Sequence, residues 1–295
     1  MKLFIDCFQR LQLDRGGGYP VLIALAALMD VRRTIASAVM AQGSEGQALY
    51  DGLDYMLLAE WLVILAATKD VDWSRIKAGA CERLFGLAVV ATGLFGVTPT
   101  SHWLTMAICC AIAARLFVEP SARRLSAVLV IVASQYVLSQ GPFVAVHEVF
   151  AQADAWATHH LLTAADFANA LDGTIVKLQG SSFAIVISPG CATTSILPRV
   201  GGAFLIFALC WRASVRSVVL GLVVTLGACL VLNLLRLSVM AMSPDDYQYW
   251  HNGGGRPIVS VTMTAIAYLT AAAVVRRDAL LKTGGAAAAV AEPGA

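Results

Sequence analysis

The chain has 295 residues, of which 58% are hydrophobic and only 14% are charged, and its mean hydropathy is +0.73. These values exclude an ordinary water-soluble domain and predict an all-α polytopic membrane protein. The net charge of +2 says little about partners, and we expect no nucleic acid among them. The seven cysteines form no CxxC pair, so the sequence predicts neither a disulfide framework nor a zinc site.

The N-terminal membrane region, 1–146, contains about five apolar segments near the ~20 residues that a bilayer requires. They lie at 21–41, 52–68, 78–97, 103–118 and 125–146. The first contains Asp30, Arg32 and Arg33, so it crosses the membrane only if other parts of the protein shelter these charges. A surface or re-entrant helix is the alternative for this segment. The first 19 residues lack the apolar core and cleavage site of a removable signal peptide.

The segment 147–190 is the one long region outside the predicted spans, and its first half has a helical pattern. Apolar residues recur there at intervals of three and four: Val149, Phe150, Ala153, Trp156, Ala157, Leu161, Ala164, Phe167, Ala168 and Leu171. The opposite face carries Asp154, Thr158, His159, Asp166 and Asn169. This pattern predicts an amphipathic helix at the outer membrane interface, with a tilted crossing as the alternative.

The second half of this region predicts a β-hairpin that leads into Cys191. Residues 176–179 alternate between apolar and polar, 180–182 supply a reversal, and 183–187 alternate again. Pro189-Gly190 ends the second strand, and Cys191 follows where the chain re-enters an apolar segment. A thiol at a helix N-terminus has its thiolate favoured by the helix dipole, so Cys191 is a candidate nucleophile. The alternative is that it is a small buried apolar residue.

The catalytic membrane region, 191–283, contains three further spans at 192–211, 218–242 and 257–275, which gives about eight spans in all. The Ala/Gly-rich tail, 284–295, is predicted to be disordered.

The distribution of Lys and Arg predicts the orientation of the spans. The loops at 69–83, 115–124 and 212–216 and the segment 276–282 are basic, whereas the loops that flank Cys191 and follow the seventh span contain only Lys177 and Arg256. The positive-inside rule therefore places Cys191 on the outer face.

Two basic residues lie well inside the later spans, Arg199 and Arg236. Asn233 precedes Arg236 by three residues and shares its helix face. An arginine within the membrane indicates function, although it can also snorkel to the headgroups or pair with an acid. His251 lies in the next outer loop, so three separated segments bring groups suited to thiol acyl transfer to the same side.

These residues resemble the exosortase/archaeosortase family of membrane cysteine transpeptidases. The resemblance covers roughly 154–276 and rests on Cys191 in PGCATTS, on Asn233-Leu234-Leu235-Arg236, and on the segment HNGGG from His251 to Gly255. The chain departs from the usual family pattern in two places. Ala192 follows the cysteine where Ser-Gly is usual, with no arginine before Arg199, and Asn252 stands where an aspartate is common.

The resemblance implies a catalytic cysteine at Cys191, an oxyanion-stabilising arginine at Arg236 and a general base at His251. Asn233, Asn252, Gly255 and Arg199 would support them, and we expect Asn233 to orient Arg236. The substrate would be a secreted protein with a C-terminal sorting signal, made of a short motif, one transmembrane helix and a basic end. The product would pass to an amine or lipid acceptor, without a metal or cofactor, at the outer face of a bacterial or archaeal cytoplasmic (inner) membrane.

Two other classes remain open. An integral membrane acyltransferase would favour a histidine–acid pair, for which His147-Glu148 or His159-His160 could be argued. A non-enzymatic transporter or scaffold should show internal repeats or polar residues at mid-membrane. No repeat is visible in the sequence, and Glu60 is an acid in the middle of a predicted span.

Overall fold

The computed structural model describes residues 110–139, 144–167, 169–180 and 182–290. It also describes five isolated positions: Val63, Val71, Asp72, Arg75 and Ala107. The predicted spans at 21–41 and 78–97 lie outside the described residues, as does nearly all of 52–68.

The chain forms two compact units, Met1–Ser134 and Gln135–Ala295. Residues 110–117 of the first unit are helical, and helix α1 (Arg123–Ser139), whose last five residues belong to the second unit, follows after a short turn. The hydroxyl of Ser126 donates to the carbonyl of Ala113 at 2.6 Å and ties the two helices together.

The predicted span 125–146 is not one helix. Helix α1 ends at Ser139, and helix α2 (Val144–Ala164) has already begun when the predicted span ends. The sequence between them contains Gly141-Pro142, which disfavours a continuous helix because proline lacks an N–H and clashes with the preceding turn.

A small antiparallel sheet follows α2. Its strands are β1 (Asn169–Asp172), β2 (Ile175–Leu178) and β3 (Ala184–Val186), in the order β1-β2-β3. Strands β2 and β3 are the predicted hairpin segments, with Val176 opposite Ile185. Strand β1 was not predicted: the apolar pattern continued the helix to Leu171, whereas α2 ends at Ala164. Gly173 turns the chain between β1 and β2 with φ +58°, a conformation in which glycine is favoured.

Three long helices complete the second unit: α3 (Thr193–Cys210), α4 (Val215–Met240) and α6 (Gly255–Val290). Between α4 and α6 lie the short helix α5 (Pro244–Tyr247) and one π-helical turn, Gln248–Asn252. Among the described residues, α3, α4 and the part of α6 up to Leu281 are long and apolar enough to cross a membrane. Helix α6 continues through 284–290, the start of the tail that composition predicts to be disordered.

Helices α3, α4 and α6 pack against one another. Gly221 of α4 makes close packing possible, because a Cβ there would lie 2.6 Å from both Phe204 of α3 and Val274 of α6. A second cluster joins α2, the sheet, the start of α3 and the end of α4. Its buried members include Ala155, Val176, Cys191 and Leu237.

The buried face of α2 differs from the predicted one by about one residue. Ala151, Asp154, Ala155, Thr158 and Leu162 are buried, whereas Val149 and Trp156 are 65% and 60% exposed. The small side chains of Ala151 and Ala155 allow close packing. The polar residues of this face, Asp154 and Thr158, are ones that the periodic pattern had placed toward water. The prediction that Asp154 and Thr158 face outward is therefore wrong.

Candidate active site

Cys191 lies in the tight turn between strand β3 and helix α3. Its backbone N–H and that of Ala192 both donate to the carbonyl of Ser188, at 2.9 and 3.1 Å. The Cys191 side chain is buried, with only 8% of the residue exposed. Helix α3 starts two residues later, and its N-cap, Ala192, has no side chain that could cap the first turn.

Asp154 of α2 caps helix α3 instead. One carboxylate oxygen accepts from the backbone N–H of Thr193 at 2.5 Å, and the other accepts from the Thr193 hydroxyl at 3.0 Å. Burial raises the pKa of Asp154, while the two hydrogen bonds from Thr193 act in the opposite direction. Sequence reasoning missed this residue because a single acid in an amphipathic pattern is assigned to the solvent side.

His251 lies beside the thiol. Its Nε2 is 3.1 Å from Cys191 Sγ, and its Nδ1 is 2.9 Å from Asn252 Oδ1. Because an amide oxygen can only accept, Nδ1 carries the proton and Nε2 presents its lone pair to the thiol. The ring of Tyr247 stacks on the imidazole with centroids 4.8 Å apart and an interplanar angle of 11°. His251 is thus held on one edge by Asn252 and on one face by Tyr247.

The π-helical turn provides this arrangement. The N–H of Gly253 donates to the carbonyl of Gln248, five residues earlier, at 2.8 Å. Such turns are rare and occur frequently at functional sites, because the extra residue per turn re-aims the side chains. The amide nitrogen of Asn252 donates to Gln248 Oε1 at 3.2 Å, which fixes the direction of the Asn252 oxygen toward His251.

Arg236 lies near the end of α4 and is half-buried. Its Nε donates to the carbonyl of Trp250 at 3.1 Å, next to His251 in the chain. Cys191, Tyr247 and Arg256 lie within range for electrostatic interaction with its guanidinium. Within the described part of the chain, its terminal nitrogens make no hydrogen bond, so they can donate to another group.

Asn233 is fully buried and contacts the cysteine segment, not Arg236. Its Nδ2 donates to the carbonyl of Cys191 at 3.2 Å and to the hydroxyl of Thr193 at 3.1 Å. In the described residues its Oδ1 has no hydrogen-bond partner. The expectation that Asn233 orients Arg236 is therefore wrong. The Trp250 carbonyl binds the guanidinium, and Asn233 binds the backbone carbonyl of Cys191.

The other two predicted supporting residues have different environments. Arg199 is exposed on α3, six residues after the first residue of that helix. Gly255 is buried at the start of α6, where a Cβ would lie 2.5 Å from Cε3 of Trp250 and 2.9 Å from its Cα. Gly255 therefore allows the backbone that holds Arg236 to approach α6.

The remaining described histidines do not pair with carboxylates. His147 is buried, with Nδ1 2.9 Å from the Thr194 hydroxyl and Nε2 3.0 Å from the Leu138 carbonyl. His159 Nδ1 lies 2.5 Å from Asn169 Oδ1. Neither has the histidine–acid geometry that an acyltransferase site would favour. No group of three potential metal ligands occurs among the described residues.

Cys191, Arg236 and His251 lie at the same end of the three long helices, because α3 and α6 begin there and α4 ends there. At the opposite end, Asp278 of α6 accepts hydrogen bonds from Ser214 and Ser217 at the start of α4. Four arginines lie at the end with Asp278, namely Arg212, Arg216, Arg276 and Arg277, whereas Arg236 and Arg256 lie at the end with the thiol.

Comparison with known proteins identifies one relationship. The family model for the transmembrane exosortase, Exosortase_EpsH, matches residues 51–268, well over half of the chain, and covers the thiol, the guanidinium and the imidazole described above. No curated protein and no solved structure matches the chain.

Proposed function

Because the chain belongs to the transmembrane exosortase family, we propose that it is a cysteine transpeptidase whose nucleophile is Cys191. It is an integral membrane protein, and exosortases are generally cysteine transpeptidases that act on secreted proteins with C-terminal sorting signals. The observation that carries the proposal is the 3.1 Å approach of Cys191 Sγ to His251 Nε2, with His251 Nδ1 bound to an acceptor. A nucleophile, a base and a group that orients the base are the parts that thiol acyl transfer needs.

In the acylation step, His251 takes the thiol proton and Cys191 Sγ attacks the carbonyl carbon of a peptide bond. A C–S bond forms and the carbonyl electron pair moves to oxygen. When the tetrahedral intermediate collapses, the C–N bond breaks and His251 gives its proton to the leaving amine. The thioester is then attacked by an acceptor nucleophile whose proton passes to His251, and the C–S bond breaks to restore the thiol.

Arg236 is the oxyanion donor in this scheme. The backbone N–H groups of Cys191 and Ala192 are already bound to Ser188, and that of Thr193 is bound to Asp154. The nearest backbone donors are therefore occupied, unlike those of many acyl-transfer enzymes. The terminal nitrogens of Arg236 have no hydrogen-bond partner in the described part of the chain and are fixed through Nε, so they can meet negative charge that develops on the substrate oxygen.

The substrate is a secreted protein that carries a short motif, one transmembrane helix and a basic end. Its helix would lie beside the spans of the enzyme and present the motif at the end of the bundle where Cys191 lies, and the cleaved product would be transferred to an amine or lipid acceptor. The basic residues at the opposite end support a cytoplasmic location for that end and an outward-facing thiol in the cytoplasmic membrane of a bacterium or archaeon.

The two alternatives differ from this proposal in their need for the thiol. An acyltransferase with a histidine–acid pair, or a transporter or scaffold, should keep its activity when Cys191 is alkylated. His147 and His159 bond hydroxyl, carbonyl and amide oxygens and no carboxylate, so their contacts do not favour an acyltransferase site.

The test is the processing of secreted proteins in cells that carry variants of this enzyme at matched membrane abundance. Cys191→Ala should abolish removal of the C-terminal segment, and Cys191→Ser should abolish nearly all of it, because a hydroxyl is far less ionised than a thiol. His251→Ala should lower the rate by roughly 10²- to 10⁴-fold. Cys210→Ala, at the other end of α3, is the control and should process normally. Full processing by Cys191→Ala would contradict the proposal.

A further inference from the structure

Asp154 is a buried carboxylate for which the proposed mechanism has no direct use. Only 4% of the residue is exposed, and its helix packs against α3 and α4. Burying an ionised carboxylate is costly unless donors compensate it. Thr193 supplies two donors, its backbone N–H and its hydroxyl. The hydroxyl thereby has a fixed direction, with its proton toward Asp154 and its lone pairs toward α4.

The contacts continue from Thr193 to the nucleophile. Asn233 Nδ2 donates to the Thr193 hydroxyl oxygen at 3.1 Å and to the Cys191 carbonyl at 3.2 Å. One residue from each of three helices takes part, Asp154 from α2, Thr193 from α3 and Asn233 from α4. The hydrogen bonds thus join Asp154 to Thr193, Thr193 to Asn233, and Asn233 to the carbonyl of Cys191, the residue that carries the thiol.

We propose that Asp154 is a positioning residue of the Cys191 centre, which acts through Thr193 and Asn233 to hold the thiol within reach of His251. The inference rests on the proposed function only in taking Cys191 as the nucleophile. Asp154 does not contact the thiol or His251, so its effect is on geometry: the turn 188–192 has no side-chain cap of its own, and Asp154 fixes where helix α3 begins.

Charge and geometry predict opposite effects at this position. A negative charge near the N-terminus of α3 opposes negative charge on the Cys191 sulfur, so its removal alone should speed attack by that sulfur. If Asp154 positions the thiol, its removal should instead separate Sγ from Nε2, so that His251 no longer takes the thiol proton during alkylation.

The experiment measures the rate at which iodoacetamide alkylates Cys191 in the purified full-length protein, by mass spectrometry of the peptide that contains it. We expect Asp154→Asn to lower this rate on the order of 10-fold at neutral pH, since the thiol would lose the general base that takes its proton. Thr193→Val should have a similar effect, whereas Thr193→Ser keeps the hydroxyl and should restore most of the rate. The double variant Asp154→Asn/Thr193→Val should be no slower than the slower single variant, because both act through one chain of bonds.

Asp278→Asn is the matched control. Asp278 is also buried and also accepts from side chains at the start of a membrane-spanning helix, but it lies about 35 Å along α6 from Gly255, the residue at the thiol end of that helix. This variant should lose stability without a change in the alkylation rate of the folded fraction. An unchanged or faster rate in Asp154→Asn, or an equal loss in Asp278→Asn, would overturn the proposal.

The alkylation assay does not use a protein substrate, so it separates this inference from the proposed function. A slower alkylation in Asp154→Asn with no transpeptidation by the wild type would leave the positioning role intact and refute the activity. Where processing is measured, Asp154→Asn should lower kcat by on the order of 10²-fold with little change in KM, the loss expected from a misplaced reacting group. An increase in KM alone would contradict the positioning role.

Discussion

At the scale of single residues, Asn252 decides which nitrogen of His251 faces the thiol. The exosortase pattern commonly has aspartate at this position, and an asparagine oxygen can accept from Nδ1 just as a carboxylate can. Asparagine at position 252 therefore keeps the orientation of the imidazole but lacks the negative charge that an aspartate would place beside it. A Cys-His-Asn arrangement serves the same chemistry in other cysteine peptidases, so this difference is compatible with catalysis.

Arg236→Lys separates the charge of the guanidinium from its geometry. Lysine keeps the positive charge but has a single side-chain nitrogen. It cannot donate to the Trp250 carbonyl and also present further donors in a fixed direction, as the guanidinium can. We expect the processing rate to fall by roughly 10²- to 10³-fold, the usual loss for one oxyanion donor. The measurement compares substrate processing at equal membrane abundance.

Arg199→Lys is the control for this prediction. Arg199 is exposed on α3, so the lysine variant should process at nearly the normal rate. An active Arg236→Lys together with an inactive Arg199→Lys would move the oxyanion role to Arg199.

That the three candidate residues lie near one another could be predicted from the sequence, but several of their hydrogen-bond partners could not. Cys191, Arg236 and His251 lie in segments with distinct local patterns, and topology brings these segments to one end of the bundle. The partner of Asn233 depends on the rotation of α4 and on where α3 begins. Spacing alone suggested Arg236, three residues away on the same helix, whereas packing directs the Asn233 amide to Cys191 and Thr193.

At the scale of elements, helix α2 shows how a weak pattern can lead to the wrong face. Its apolar residues cover more than half of the circumference, so several rotations bury a similar apolar area. The observed rotation buries Ala151 and Ala155, which permit close approach, and accepts Asp154 because α3 supplies donors. The hydropathy of α2 alone does not predict that Asp154 is buried, because the hydrogen-bond donors that compensate its burial belong to helix α3.

The start of α6 gives a test of how elements position the site. In Gly255→Ala the new methyl group would lie 2.5 Å from the Trp250 ring and 2.9 Å from its Cα, so the π-helical turn must shift. Because this turn carries His251 and the carbonyl that binds Arg236, we expect a loss of processing by on the order of 10²-fold, as for other small misplacements of reacting groups.

The neighbouring glycine is a matched control for that substitution. A Cβ at Gly254 would lie 3.5 Å from the Tyr249 ring, which is ordinary contact. Gly254→Ala should therefore process at close to the normal rate. Similar losses in the two alanine variants would show that the close approach of Gly255 to Trp250 is not what matters.

At the scale of the whole molecule, the three long helices separate the thiol from the four arginines at their opposite end, Arg212, Arg216, Arg276 and Arg277. We expect a membrane-impermeant thiol reagent applied to intact cells to label Cys191 at the outer face. Labelling should be absent in Cys191→Ala, which controls for the other cysteines. Labelling that requires the membrane to be breached would place the site on the cytoplasmic side.

In the proposed reaction, Cys191 forms a thioester with a secreted protein. The most direct measurement is the intact mass of the purified enzyme after incubation with a secreted protein that ends in a motif, a span and a basic tail. We predict an adduct on Cys191 equal in mass to the substrate without its C-terminal segment. Hydroxylamine should release this adduct, and it should be absent in Cys191→Ala. Cleavage of the substrate by Cys191→Ala, or an adduct on any other residue, would show that Cys191 is not the nucleophile.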